Sequence, residues 1–376
     1  MIHRRLPRLA PVLLCTVLLA LGAAGCMPPQ FNPHPTTSEA DALTDAVQLT
    51  HNFARAGEAY FSPDMRWVIF QASMRPEESY LMYVAQVKWD GDRITGINTP
   101  IRITPEGTAN TCGYFSPDGE SIIFASTAGK QLPPREPGQQ GGYQRSTNSY
   151  RWDMPREMEI FRADGWKAAL AAVPAGGSLN LAKYPLTHND AYDAECAYSP
   201  DGKWILYSSR LSGDSELYAM HPDGTKIVRL TNTPGYDGGP FFSPDGKRIV
   251  WRSDRKKPDY LQVMTADLKF DASGEIVGLM NQRELTHNLE VVNWGPYWHP
   301  DGKHIVYGTS LHGHQNYELY LMRDDGTYKT RITHSDLADV LPVFSPDGKW
   351  LMWTTRRGPE KTSQVWVARF RFPKGS

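Results

Sequence analysis

The sequence predicts an all-β chain: a six-bladed β-propeller of four-stranded antiparallel blades, the last closed by the N-terminal strand. Three observations lead there. First, one turn motif is written six times: YFSPDMRWVIFQA from Tyr60, YFSPDGESIIFAS from Tyr114, AYSPDGKWILYSS from Ala197, FFSPDGKRIVWRS from Phe241, YWHPDGKHIVYGT from Tyr297 and VFSPDGKWLMWTT from Val343. Second, a Leu-Thr or Ile-Thr pair precedes every copy, ending at Thr50, Thr104, Thr187, Thr231, Thr286 and Thr333. Third, the two ends of the chain are incomplete in complementary ways.

Each motif copy reads as a strand end, a tight turn and a second strand. Pro presets φ at the first central position of the turn, Asp suits the second, and Gly supplies the positive φ that returns the chain as a hairpin. The runs WILY, RIVW and HIVY that follow are apolar at consecutive positions, so both of their faces need cover. Sheets buried on both faces and repeated every few tens of residues make a propeller or a solenoid.

In chain order, Arg4, Arg5 and Arg8 precede an apolar run from Leu9 to Gly25 that ends in LGAAGC. A basic segment, an apolar segment and small residues before a cleavage point make a secretory signal. The small residues before Cys26 resemble the bacterial lipobox, which implies cleavage and lipidation of Cys26. Residues 1–26 are therefore a lipoprotein signal peptide, and Met27 is similar to the residue that follows the cysteine in lipoproteins sorted to the outer membrane. Residues 27–44 are rich in Pro and Thr without periodicity and read as a flexible tether.

Residues 45–50 form the first strand. Between the motif copies lies a third strand, as in ELYAM from Glu216 or ELYLM from Glu318, followed by a polar turn such as HPDG or RDDG. One repeat thus holds four strands, and the propeller spans residues 45–372. Blade two carries an insertion over 127–157, polar and rich in Gly and Pro from Gln131 to Pro155. A second insertion, from Trp166 to Asn180, contains an Ala-rich piece suited to a turn or two of helix. A third lies around Lys269 to Asn281. The sixth repeat stops after its third strand, QVWVARFRF, while the chain begins with a Leu-Thr strand that has no repeat before it. Pairing residues 45–50 with that last strand closes the ring and leaves no open edge, whereas a solenoid would need capping repeats.

The recurring SPDG followed by LY, DG and LT resembles the WD-repeat-like propeller of the TolB family, over nearly all of residues 45–372. The resemblance implies a six-bladed binding scaffold in the bacterial periplasm. Two features depart from it: TolB itself carries an α/β domain ahead of its propeller, and this chain carries a lipobox. Met65 also replaces the turn glycine in blade one, and His299 replaces the motif serine in blade five.

Composition excludes some functions. The net charge of −1 gives no basic field for nucleic acid. There is no G-x-S-x-G, no P-loop and no dinucleotide fingerprint. Cys112 and Cys196 stand in neighbouring repeats at offsets one residue apart, and read as two small buried thiols rather than a disulfide.

The loops from the second strand to the third, and from each Leu-Thr strand to the next blade, share one face of the disc. That face carries the long insertion, His312 and His314, and the residues Arg210, Arg255 and Arg356, and it is the candidate binding face. Six positions before the motif serine (or His299) stand Ala56, Asn110, Asp193, Asp237, Asn293 and Asp339; two positions further on, on the same side of an extended strand, stand Glu58 and Glu195. Such a ring of oxygen donors suits hydrogen bonding within the loops. Its carboxylates Asp193, Asp237 and Asp339 are also candidate ligands for a divalent cation at the channel mouth. Arg210 and Arg356 are the expected basic neighbours. The histidines after Leu-Thr (His51, His188, His287 and His334) read as loop hydrogen-bonders. The expected function is a non-catalytic, lipid-anchored envelope propeller that binds a protein or a glycan. The alternative is a metal-dependent enzyme of the channel, such as a polysaccharide lyase of the oligogalacturonate type, which the propeller resemblance also allows.

Overall fold

The structure, a computed structural model, describes residues 38–132, 144–145, 150–151 and 155–374. Six antiparallel sheets form the blades, each with the strand before the motif turn on its inner side. The inner strands are Arg55–Phe61, Asn110–Phe115, Asp193–Tyr198, Asp237–Phe242, Asn293–Trp298 and Asp339–Phe344.

The motif residues explain why six turns are alike. In the five copies that carry it, the serine hydroxyl donates to the motif aspartate at 2.5–2.7 Å. The same oxygen accepts the amide five residues on at 2.9–3.0 Å, which pins the start of the second strand. In blade five, His299 Nδ1 takes the Asp301 amide instead, at 3.1 Å. The turn glycines hold φ of 68–72°, and Met65 is held at 56° in the same left-handed region. For a residue with a Cβ this costs about 1 kcal/mol.

The Leu-Thr pairs have an equally plain role. In all six blades the threonine hydroxyl accepts the amide of the second residue of the third strand, at 2.8–3.0 Å. This bond fastens the outer strand to the blade where regular pairing covers only a few residues. Between blades the packing is large and apolar, with Trp251, Trp350, Trp353, Phe70, Phe124 and Phe344 almost fully buried.

Ring closure follows the sequence expectation. Strand Leu43–Gln48 pairs antiparallel with Gln364–Phe370, Leu43 standing opposite Phe370. The strand begins two residues earlier than residues 45–50, because a short helix, Glu39–Ala42, leads directly into it. The amide and hydroxyl of Ser38 both donate to the Asp41 carboxylate at this start, at 2.9 and 3.0 Å. Residues 38–44, read as tether, are thus part of the fold. The signal segment and Cys26 lie outside the described residues.

Three insertions extend the blades. The first leaves blade two after strand Ser121–Ser126 and rejoins it at Glu159–Asp164. The second holds the helix Trp166–Leu170, whose buried Trp166 donates Nε1–H to the Gly119 carbonyl at 3.1 Å. The third is an extended hairpin of Gln262–Phe270 and Ile276–Glu284. Cys112 and Cys196 are both buried and unbridged.

Candidate functional site

The site arises from a defect repeated in the inner strands. In every blade the pairing of the first two strands slips at one place, between Ala194 and Ala197 in blade three for example. The same slip occurs in the other five blades. At its centre one residue sits in the left-handed region: Glu58, Cys112, Glu195, Gly239, Gly295 and Leu341, with φ of 47–58°. This is a β-bulge, which re-aims a side chain at some cost in strain.

The bulge breaks the alternation of an extended strand. The expectation that Glu58 and Glu195 share a side with the residues two positions before them is therefore overturned. Asp193, Asp237, Asn293 and Asp339 turn into the walls of the ring and are 0–3% exposed. Glu58 and Glu195 instead line the axial cavity, beside Cys112.

This cavity is a funnel of about 570 Å³ that opens on the loop face. Its walls include Tyr80, Met158, Tyr192, Trp294 and Leu341, with Arg55, Arg356 and Lys361 among the basic lining residues. Beneath Glu58 and Glu195 only about 20 Å³ remains, room for a single water molecule. Below that, Tyr60, Tyr114, Phe241 and Tyr297 meet across the axis. Their ring centroids lie 4.8–6.3 Å apart, and the Tyr114 and Tyr297 hydroxyls are 3.2 Å apart. The channel is therefore a blind funnel with an aromatic plug.

On the floor, Glu195 is heavily bonded. It accepts from Arg252 Nη2 at 2.5 Å, the Tyr236 hydroxyl at 2.7 Å, the Ser208 hydroxyl at 2.7 Å and the Gly239 amide at 2.8 Å. A Cβ on Gly238 would collide with the Tyr236 hydroxyl and Glu195, and one on Gly239 with the Arg252 guanidinium, so both glycines make room for this cluster. Burial opposes the charge on Arg252, but Glu195, Tyr236, Glu58 and Cys112 together outweigh it and hold the guanidinium protonated. Glu58 is differently placed. It accepts the Thr111 hydroxyl at 3.2 Å, and its amide donates to Thr354 Oγ1 at 3.0 Å. Burial raises its carboxyl above the usual range; the bond to Cys112 opposes this and the charge of Glu195 adds to it. Burial likewise drives the Cys112 thiol well above its ordinary value, reinforced by Glu58 and Glu195. The thiol is thus kept neutral and is not an activated nucleophile.

The ring of oxygen donors is a set of separate, locally bonded caps. Asp237 takes both oxygens to Arg255 Nη2 at 2.9 Å and accepts Trp251 Nε1–H at 3.0 Å. Asp339 takes Arg357 at 2.6 Å and Trp353 Nε1–H at 3.3 Å. Asp193 accepts the Asn189 amide at 2.6 Å, and burial raises its carboxyl to about 6. Asn110 donates to the Tyr80 carbonyl and the Thr108 hydroxyl, and Asn293 to Gln262 Oε1. The basic partners are Arg255 and Arg357. Arg210 and Arg356, expected in that role, are both exposed and do not bond the ring; Arg356 Nε donates to the Lys361 carbonyl at 2.9 Å.

Of the six residues that stand six positions before the motif serine or His299, only Asn110 lines the funnel. Among the described residues, no three His, Cys, Asp or Glu side chains gather as a metal site requires. His312 bonds the Tyr320 hydroxyl at 2.8 Å and His314 packs on Tyr260; neither is among the funnel-lining residues. His51 contacts the Gln48 carbonyl as a loop hydrogen-bonder, but neither ring nitrogen of His334 has a hydrogen-bond partner among the described residues. Sequence reasoning missed Arg252, Tyr236 and Gln71 on the funnel floor. The available signal was glycine at the bulge position in blades four and five, which marks a left-handed backbone at the same place as Glu58 and Glu195.

A solved TolB-like protein from Agrobacterium tumefaciens aligns over 84% of this chain and 90% of its own, with a TM-score of 0.51 and 18% identity. The chain thus shares the six-bladed β-propeller fold of that protein. The Chlorobium luteolum protein TolB homolog is 32% identical to this propeller over 157 residues, 42% of this chain and 32% of that protein. The uncharacterized peptidase YuxL of Bacillus subtilis is 26% identical over 181 residues, 47% of this chain and 25% of its own length. The chain thus spans between a quarter and about half of the curated relatives it matches. No family model matches it.

Proposed function

We propose that this TolB-like propeller is a non-catalytic, lipid-anchored envelope protein that receives a segment of a protein or glycan partner in its loop-face funnel. The blind funnel itself carries this reading. It is the right size for an inserted segment, and its aromatic walls and basic lining residues offer contacts, yet the plug prevents passage through the ring. The floor supports binding over chemistry. Glu195 is satisfied by fixed donors, and Cys112 is held neutral. The ring carboxylates considered as cation ligands are engaged with arginines, tryptophans and a side-chain amide in the walls. The basic and apolar segments before Cys26 support export and lipid anchoring, at the periplasmic face of the outer membrane in a Gram-negative host.

The test is affinity capture from detergent-solubilised envelope, comparing the wild type with Ala338→Arg. Ala338 lines the funnel, and the longer side chain fills it. A partner held by the wild type and lost by the variant is the expected result. A partner held equally by both would place binding outside the funnel and overturn the reading.

A further inference from the structure

The funnel floor is asymmetric in charge. On one side Glu195 and Arg252 form an ion pair at 2.5 Å, both side chains at least 94% buried. On the other side Glu58 has the hydroxyl of Thr111 and the neutral thiol of Cys112 as its bonded neighbours; the charge of Arg252 reaches it, but among the described residues no cation is bonded to it. Gln71 stands across the strand pair from Gly57, the residue before Glu58. It lines the same funnel, is 7% exposed, and its Oε1 has no hydrogen-bond partner among the described residues. A buried carbonyl oxygen left without a donor costs on the order of 1–3 kcal/mol, so a ligand that brings N–H groups gains what the free protein forgoes. Tyr192 adds aromatic surface to the funnel lining, while the Tyr80 ring already carries the Arg55 guanidinium 4.5 Å from its centroid; open aromatic surface favours a cation and an apolar stem alike.

We propose that Glu58 and Gln71 form a binding site for a primary ammonium group on a slender apolar stem, namely a lysine side chain of the inserted partner segment. This rests on the funnel-binding reading above and specifies its ligand. The ammonium has three donors and no acceptor, matching a floor that offers a carboxylate and an amide oxygen. Its four-carbon stem passes the aromatic wall, and the basic lining residues Arg55, Arg356 and Lys361 favour acidic residues flanking the lysine. A partner segment with one lysine among acidic neighbours is therefore the best match.

The probe is a capped peptide, acetyl-Gly-Asp-Gly-Lys-Gly-Asp-Gly-amide, titrated calorimetrically into the mature protein. The controls are the same peptide with norleucine for lysine, free 1,5-diaminopentane, and Ca²⁺. The lysine peptide should bind at least about tenfold more tightly than the norleucine peptide, the difference expected of one charge-assisted contact. Glu58→Gln should remove that preference. Gln71→Leu, which leaves the carboxylate in place, should weaken the lysine peptide several-fold without affecting the norleucine peptide. Thermal melting of each variant verifies the fold. Equal binding of the two peptides, or full preference retained in Glu58→Gln, would overturn the ammonium site while leaving the funnel-binding reading standing. Binding of the diamine without the peptide would overturn the lysine assignment, and so would binding of Ca²⁺ that displaces the peptide. Loss of partner capture in the Ala338→Arg comparison bears on the broader reading alone.

Discussion

Arg357 binds Glu39 across 318 positions of sequence. Its Nη1 lies 2.5 Å from the Glu39 carboxylate, while its Nη2 lies 2.6 Å from Asp339. The segment that enters the ring is thereby tied to the inner strand of the blade it completes. Burial raises the Asp339 carboxyl, and the charge of Arg357 opposes that rise. The two partners of Arg357 should respond unequally to its loss. Glu39 keeps about a quarter of its side-chain exposure, whereas Asp339 has none. Arg357→Met should therefore cost about 3 kcal/mol, mostly from stranding Asp339, and Glu39→Ala about 1 kcal/mol or less. Urea unfolding of both variants measures the contrast, and equal losses would contradict it.

The closing strand itself should matter to the whole ring. Deleting residues 43–48 exposes an edge on blade six and removes the partner of Gln364–Phe370. The expected outcome in calorimetry is a lower single transition. A retained main transition with separate melting of blade six would show that closure is local.

The buried carboxyl of Asp193 predicts a pH effect of definite sign. Its folded value of about 6 exceeds the ordinary 3.8, so the native state holds the proton more tightly than the unfolded state. Its contribution to stability is therefore largest in acid and falls as pH rises from about 4 to about 6. Asp193→Asn removes that dependence. Relative to wild type, the variant should gain on the order of 2 kcal/mol between pH 4 and pH 7. A difference that stays constant with pH would show that Asp193 does not titrate there. Glu318, raised to about 7 by burial, continues the same trend and remains in both proteins.

The threonine hydroxyls should each be worth a buried hydrogen bond. Thr231→Val removes the acceptor of the Leu217 amide, now bonded at 2.8 Å, while keeping the shape. A loss of about 1–2 kcal/mol is expected, with Thr231→Ser losing less. Equal losses for Val and Ser would mean that packing of the methyl, not the hydroxyl, carries the role.

Cys26→Ser should abolish lipid attachment and release the protein in soluble form, as read by metabolic labelling and carbonate extraction. A variant that stays with the membrane after carbonate would refute the anchor.

The sequence alone determined the propeller, its six blades and the closing strand. Those features rest on local chemistry written repeatedly: a Ser-Pro-Asp-Gly turn needs a left-handed glycine, and each Leu-Thr strand needs one hydroxyl on its neighbour's amide. The six-fold repetition makes such short signals legible. The repetition of the oxygen donors was legible too, but not their turn into the walls, which left only Asn110 on the funnel. The strand boundary at Leu43 was less so, because the helix before it depends on a contact with distant Arg357. The floor of the funnel was decided by tertiary structure. One bulged residue per blade turns Glu58 and Glu195 inward while the aspartates before them turn into the walls, and strand alternation cannot foresee that. Arg252, Tyr236 and Gln71 join them from second strands and loops whose spacing carries no mark of the axis. Their meeting depends on how six separately encoded blades are arranged around one centre, and no single repeat contains that information.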